Sequence, residues 1–444
     1  MDISEFDPLS AKDKTTKAPE STGAQTKSDE IEDSNEEHLP LIVQERRGSL
    51  PKPDPAADEG LPFNFHQFLD VLRQKQAEPI AKYVKSFLQE FCKKSWSAKE
   101  QVKIIEDFRI FISTKMGENP LFNTPQGKST LNSREGIEKL IMNRLYTRTF
   151  SPKMPRVLRR DDHEEDLLHD KILGEKLRIW SWIEGRHLDL DNEFLESNKS
   201  FIKLASSELK KINEHRAPRD KVISVLNCSK VVWAMIRQAK MEQNADSFLP
   251  ILIYVTLKAQ PPFLMSNINY INRFRDADRR QGETGYYLSM LASAAAFIES
   301  VDKSSLTIDD EEYEAKLEES VKRETERRTL NEGMEEEPDL YPSSVLAASA
   351  ELLVEHFKSF TTKLFEGDSN VPSPPPESPE EEAAKQASAE EYHAQQLREQ
   401  EFADVLATLV EMFPTLDTEV IEDVLRERGV NIGSAIDTCL MLVE

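Results

Sequence analysis

The sequence predicts an all-α protein: a helical bundle packed on a second all-helical domain, a separate small three-helix module at the C-terminus, and polar tails. Two observations carry this. Apolar residues recur at three- and four-residue spacing in many successive segments, and no segment alternates apolar and polar like a half-buried strand. In addition, apolar residues make up only 38% of the 444 while charged residues reach 31%, so a large part of the chain is expected to stay unpacked.

Residues 1–60 are acidic, Pro-containing and without periodicity, and read as a disordered tail. Within them Arg46 and Arg47 precede Ser49 closely. That pattern suits a basophilic kinase site at Ser49 or a solvated charge pair. Order is expected from about residue 62. Phe65, Phe68, Leu69 and Leu72 open the first helix, and Ile80, Val84, Phe87, Leu88 and Phe91 stripe the second. Val102, Ile105, Phe108 and Ile112 mark a third, and Ile137, Leu140, Ile141 and Leu145 a fourth. Short polar links between them predict an antiparallel bundle over 62–150.

A second helical domain is expected over 151–302. Leu168, Ile172, Leu173, Leu177 and Trp180 give one helix, and Phe201 to Ile212 another. Pro218 then opens a long apolar helix through Val225, Val232 and Ile236, because proline suits the first helical turn. The dense run Phe248 to Val255 reads as a buried helix among helices, broken at Pro261-Pro262. From 303 to 398 acidic runs, a candidate helix over 343–365 and a proline cluster at 372–376 predict a linker with an extended spacer. Residues 399–444 read as three short helices. Phe402, Val405, Leu406 and Leu409 stripe the first, Val420, Ile421 and Val424 the second, and Ile432, Ile436 and Leu440 the third.

A formal net charge of -24 argues against binding a phosphate backbone, so no nucleic-acid partner is expected. Three widely spaced cysteines, Cys92, Cys228 and Cys439, fit a reducing compartment without a disulfide framework. The N-terminus lacks an apolar signal segment, and no apolar run reaches the ~18 residues of a spanning helix. The expectation is a cytoplasmic protein that reaches membranes only peripherally, through partners.

Familiar catalytic signatures are missing: no GxxxxGK[ST] or GxGxxG loop occurs, and no CxxC pair. His163 and His169 lie among Asp161, Asp162, Glu164 and Glu165, but a six-residue step does not put two ligands on one helix face. A solvated acidic turn is expected there, and no metal or other cofactor. The more pointed features are Asp246-Ser247-Phe248-Leu249-Pro250-Ile251-Leu252, and, about thirty residues on, Gly282-Glu283-Thr284-Gly285-Tyr286-Tyr287-Leu288-Ser289. Taken alone, Asp246 fits a helix N-cap, and the two tyrosines fit core or rim aromatics.

These blocks, with Pro218-Arg219-Asp220-Lys221, resemble the vacuolar-protein-sorting-nine domain, an exchange-factor domain acting on Rab-five-type GTPases. The resemblance spans about 150–300, and the preceding helices resemble the bundle that packs on this domain in the same family. It implies an acidic finger at Asp246, a GTPase-contacting tyrosine at Tyr286, and Pro250 and Ser289 lining the groove. The family often has threonine at the last position. No covalent chemistry is implied: a carboxylate beside the phosphates would pair with the GTPase's P-loop lysine and crowd out its magnesium.

Met412-Phe413-Pro414 with the final helix resembles the CUE family of ubiquitin-binding domains, which implies ubiquitin contacts at Met412, Phe413, Pro414, Leu440, Met441 and Leu442. An apolar side chain left exposed after a helix reads as a contact site. Where the CUE family carries a di-leucine pair, this chain has Cys439 and Leu440. Together the resemblances imply a nucleotide exchange factor for an endosomal Rab GTPase, recruited to endosomes and able to bind ubiquitin or ubiquitinated cargo. The alternative is a non-catalytic adaptor that bridges such cargo to a GTPase.

Overall fold

Helix α1 (Phe65–Leu72) starts where the Asn64 side chain accepts the Gln67 amide. Helix α2 (Glu78–Cys92) follows, then α3 (Ala98–Gly117), opened by a reciprocal capping box between Ser97 and Glu100. Helix α4 (Lys128–Thr149) closes the predicted bundle. Its core holds the striped residues, with Phe87 and Phe108 stacked at 3.9 Å between ring centroids. The computed structural model describes residues 64–122, 128–332, 402–428 and 432–443. The expected tail over 1–60 with Ser49, the candidate helix over 343–365 and the proline spacer lie outside the described residues.

The second domain comprises α5 (Asp161–Ile179), α6 (Asn192–Ser197), α7 (Lys199–Lys210), α8 (Pro218–Gln238), α9 (Ala245–Ala259), α10 (Leu264–Phe274) and α11 (Glu283–Ser300). Helix α8 begins with Pro218 in its first turn, as the sequence predicts, and runs through the middle, packed on α7, α9, α10 and α11. The run Phe248 to Val255 is helical, and α9 ends at Ala259 before the proline pair. Helix α10 belongs to both domains, because Tyr270 and Phe274 are buried in the core of the bundle.

Charged ties reinforce this seam. The Arg275 guanidinium lies 2.7 Å from Glu135 and 2.8 Å from Glu138. Burial opposes the Arg275 charge, but the two carboxylates outweigh it and hold the group more firmly protonated. Lys139 pairs with Asp220 at 2.8 Å. The Lys221 ammonium is enclosed by the rings of Tyr146, Phe150 and Tyr270 and donates to the Asn267 amide oxygen at 2.6 Å and the Ile212 carbonyl at 2.8 Å. Burial pushes its pKa down to about 7. The Pro-Arg-Asp-Lys block thus joins the two domains.

Two expectations need correction. The acidic start of α5 is not a solvated turn throughout: His163 and Asp166 are buried. The Ser151 hydroxyl donates to Asp166 at 2.6 Å and sits 2.9 Å from His163 Nδ1, and Arg273 forks onto Asp166 at 2.5 and 2.9 Å. Gln101 of α3 lies 3.1 Å from the other His163 nitrogen. His169 is exposed, so the two histidines part company. Order also continues beyond 302 into α12 (Asp310–Glu332). This helix has three acidic residues in its first turn, where the helix dipole favours them. It lies on α5, where Glu324 accepts two nitrogens of Arg178 and Tyr313 stacks on Trp180. The expected linker therefore starts later.

The C-terminal module forms its three expected helices, α13 over 402–412, α14 (Thr418–Arg428) and α15 (Ile432–Val443). Though set apart in sequence, it rests on the second domain, with α15 along α8 and one continuous apolar core joining them. Among the described residues no single helix is long and apolar enough to cross a membrane.

Candidate functional site

Asp246 is not the N-cap of α9. Asn244 is: its side chain accepts the Ser247 amide at 2.8 Å. Asp246 occupies the second helical position, exposed, and its carboxylate makes no hydrogen bond or ion pair with the described residues. It is left available at a helix N-terminus, where the backbone dipole is positive. Four residues on, Pro250 has no N–H to return to the Asp246 carbonyl, so the turn that displays the acid lacks one rung of its ladder.

Tyr286 lies in the first turn of α11, which packs on α9. An aromatic series brings the two helix starts together. Trp233 of α8 stacks on Phe248 at 4.9 Å, Phe248 meets Tyr287 at 5.8 Å, and Tyr287 meets Tyr286 at 5.3 Å. Phe248 and Tyr287 are buried, and Tyr286 is half-buried. The Tyr286 hydroxyl is shielded from solvent and has no hydrogen-bond partner among the described residues, and burial pushes its pKa up.

Backbone constraints explain the glycines of this block. Gly282 has φ of 63°, which favours glycine, and a Cβ on Gly285 would stand 2.3 Å from the Arg280 carbonyl oxygen. Pro250 is half-buried and Ser289 exposed, and the Ser289 hydroxyl donates to the Gly285 carbonyl at 2.8 Å. What Ser289 presents outward is therefore mainly its small size. Trp233 escapes sequence reasoning: it is one apolar residue in an apolar helix, and only the fold puts it under Phe248.

The second set of expected contact residues divides. Pro414, Met441 and Leu442 are exposed and Leu440 is half-buried. Met412 and Phe413 are each only 3% exposed, against the expectation of an uncovered apolar pair. The Phe413 ring meets Phe201 of α7 edge-on at 6.3 Å, so the second domain covers it. Cys439 is buried in the core shared with the module.

Comparison with known proteins finds three matching domain models. The Vacuolar sorting protein 9 (VPS9) domain model matches residues 202–303, a domain of unknown function matches 82–146, and the CUE domain model matches 402–440. The chain is 35% identical over 459 residues to the vacuolar protein sorting-associated protein vps901 of Schizosaccharomyces pombe, covering 85% of this chain and 80% of that protein. It is 32% identical to the vacuolar protein sorting-associated protein 9A of Arabidopsis thaliana, over 57% of this chain and 48% of that protein. It is also 32% identical to the Rab5 GDP/GTP exchange factor of Homo sapiens, over 56% of this chain and 49% of that protein.

Proposed function

The chain belongs to the VPS9-domain family of vacuolar sorting proteins, and from that membership we propose that it accelerates GDP release from a Rab5-type GTPase in endosomal and vacuolar trafficking. The observation that carries this reading is the pairing of an unengaged Asp246 carboxylate with the half-buried Tyr286 ring at adjoining helix starts. A GTPase holds its nucleotide through P-loop amides, a P-loop lysine and magnesium. Asp246 inserted beside the phosphates competes for the lysine and repels phosphate oxygens as magnesium leaves. At about 4 Å and an effective dielectric near 20, one such pair is worth about 4 kcal/mol before desolvation. Tyr286 holds a switch segment open with the exposed part of its half-buried ring. Pro250 and Ser289 shape the groove. No bond is made or broken. The CUE module binds ubiquitin through Met412, Phe413, Pro414 and the end of α15, and these partners bring the protein peripherally to endosomes.

The test is release of fluorescent GDP from a purified Rab5-type GTPase by the full-length chain. Asp246→Ala is expected to slow stimulated release about a hundredfold, since desolvation takes back part of the roughly thousandfold that a pair of such strength allows. Its melting temperature should stay unchanged, because Asn244 supplies the cap. An unchanged rate would leave the adaptor reading in its place.

A further inference from the structure

We infer that ubiquitin and the protein's own exchange domain are mutually exclusive partners of one face of the C-terminal module. This rests on the ubiquitin-binding reading above and adds a regulation to it. Along the apolar core that joins the module to the exchange domain, three contacts stand out. Phe413 is buried with its ring against Phe201 of α7. Gly433 lets α15 settle onto α8, since a Cβ there would stand 2.4 Å from the Lys230 side-chain carbon Cδ. Arg237 of α8 donates to the Asp437 carboxylate of α15.

The expected ubiquitin contacts are therefore split in two. Pro414, Met441 and Leu442 remain open to a first encounter. Met412 and Phe413 are buried, and ubiquitin reaches Phe413, whose ring lies against Phe201, only after the module lifts from α7 and α8. Apparent affinity then falls by the fraction of molecules with the module released. The tie is suited to release: the Arg237 and Asp437 side chains are 30% and 31% exposed, where an ion pair is weak and screened.

The experiment titrates isotope-labelled ubiquitin with three full-length proteins: the natural chain, Arg237→Glu, and the charge swap Arg237→Glu with Asp437→Arg. Arg237 lies outside the module, so the single change leaves the module's own surface intact. Arg237→Glu is expected to bind ubiquitin roughly threefold or more tightly than the natural chain, and the swap to return toward the natural value. Saturating ubiquitin should also raise hydrogen exchange over 199–210 and 218–238 in the natural chain. Equal affinities for all three, with exchange unchanged over those helices, would overturn mutual exclusion while ubiquitin binding itself stands. No binding by any of them at millimolar ubiquitin would remove the ubiquitin reading and the exclusion with it.

Discussion

Two seams meet on the exchange domain, and they are built differently. The seam with the N-terminal bundle shares side chains: Tyr270 and Phe274 belong to the bundle's core, Arg275 is enclosed by Glu135 and Glu138, and Lys221 is boxed by aromatic rings. The seam with the C-terminal module continues the exchange domain's apolar core, with one aromatic pair, one glycine-permitted approach and one partly exposed ion pair along it. Buried charge with fixed partners is costly to separate, whereas partly exposed charge exchanges readily for water. The first seam is tied by buried charge, the second by apolar contact with a charge pair that water can replace.

The contrast is open to attack, beginning where the effect should be largest. Arg275→Ala takes from the buried Glu138 the nearer of its two guanidinium partners, leaving Arg109 at 3.4 Å, and should cost about 3 kcal/mol in denaturant unfolding. A loss below about 1 kcal/mol would make the two seams alike. Truncation after residue 302 instead of after 332 removes α12 and uncovers Trp180 and Trp182, against which Tyr313 packs. Partial loss of that burial should cost about 2–3 kcal/mol, read as a lower unfolding midpoint.

Lys221 gives the first seam a pH signature. With its folded pKa depressed to about 7, the unfolded chain binds the extra proton between about pH 7 and its ordinary value near 10.5. Stability from this group therefore rises with pH across that window and is lowest below it. Melting curves of the natural chain should show the rise, and those of Lys221→Met should not. The smallest effect belongs to the second seam. Arg237→Ala should change global stability by under about 1 kcal/mol, and its loss should be masked by salt.

Local patterns made most of the fold legible. The striped helices, the proline start of α8 and the break after Ala259 depend on neighbours in sequence, and each stands where the residues predict it. What escaped depends on distant partners. His163 and Asp166 look solvated among acids until Ser151, Gln101 and Arg273 arrive from other elements. Acidic α12 looks like linker until Arg178 receives Glu324. Phe413 looks like an open contact until Phe201 of α7 meets its ring. At the site, Asp246 was legible as a candidate, but its cap role belonged to Asn244, two residues earlier and equally good at capping.

One consequence follows from where Asp246 is mounted. Helix α9 is apolar around most of its length, with Phe248, Ile251, Leu252 and Val255 all buried, so its first turn is the end of a rod fixed in the core. A carboxylate presented this way is preorganised: little backbone freedom is left to lose when it enters a partner. The free and GTPase-bound forms should then superpose over α8, α9 and α11 to within about 1 Å, leaving the reshaping to the GTPase.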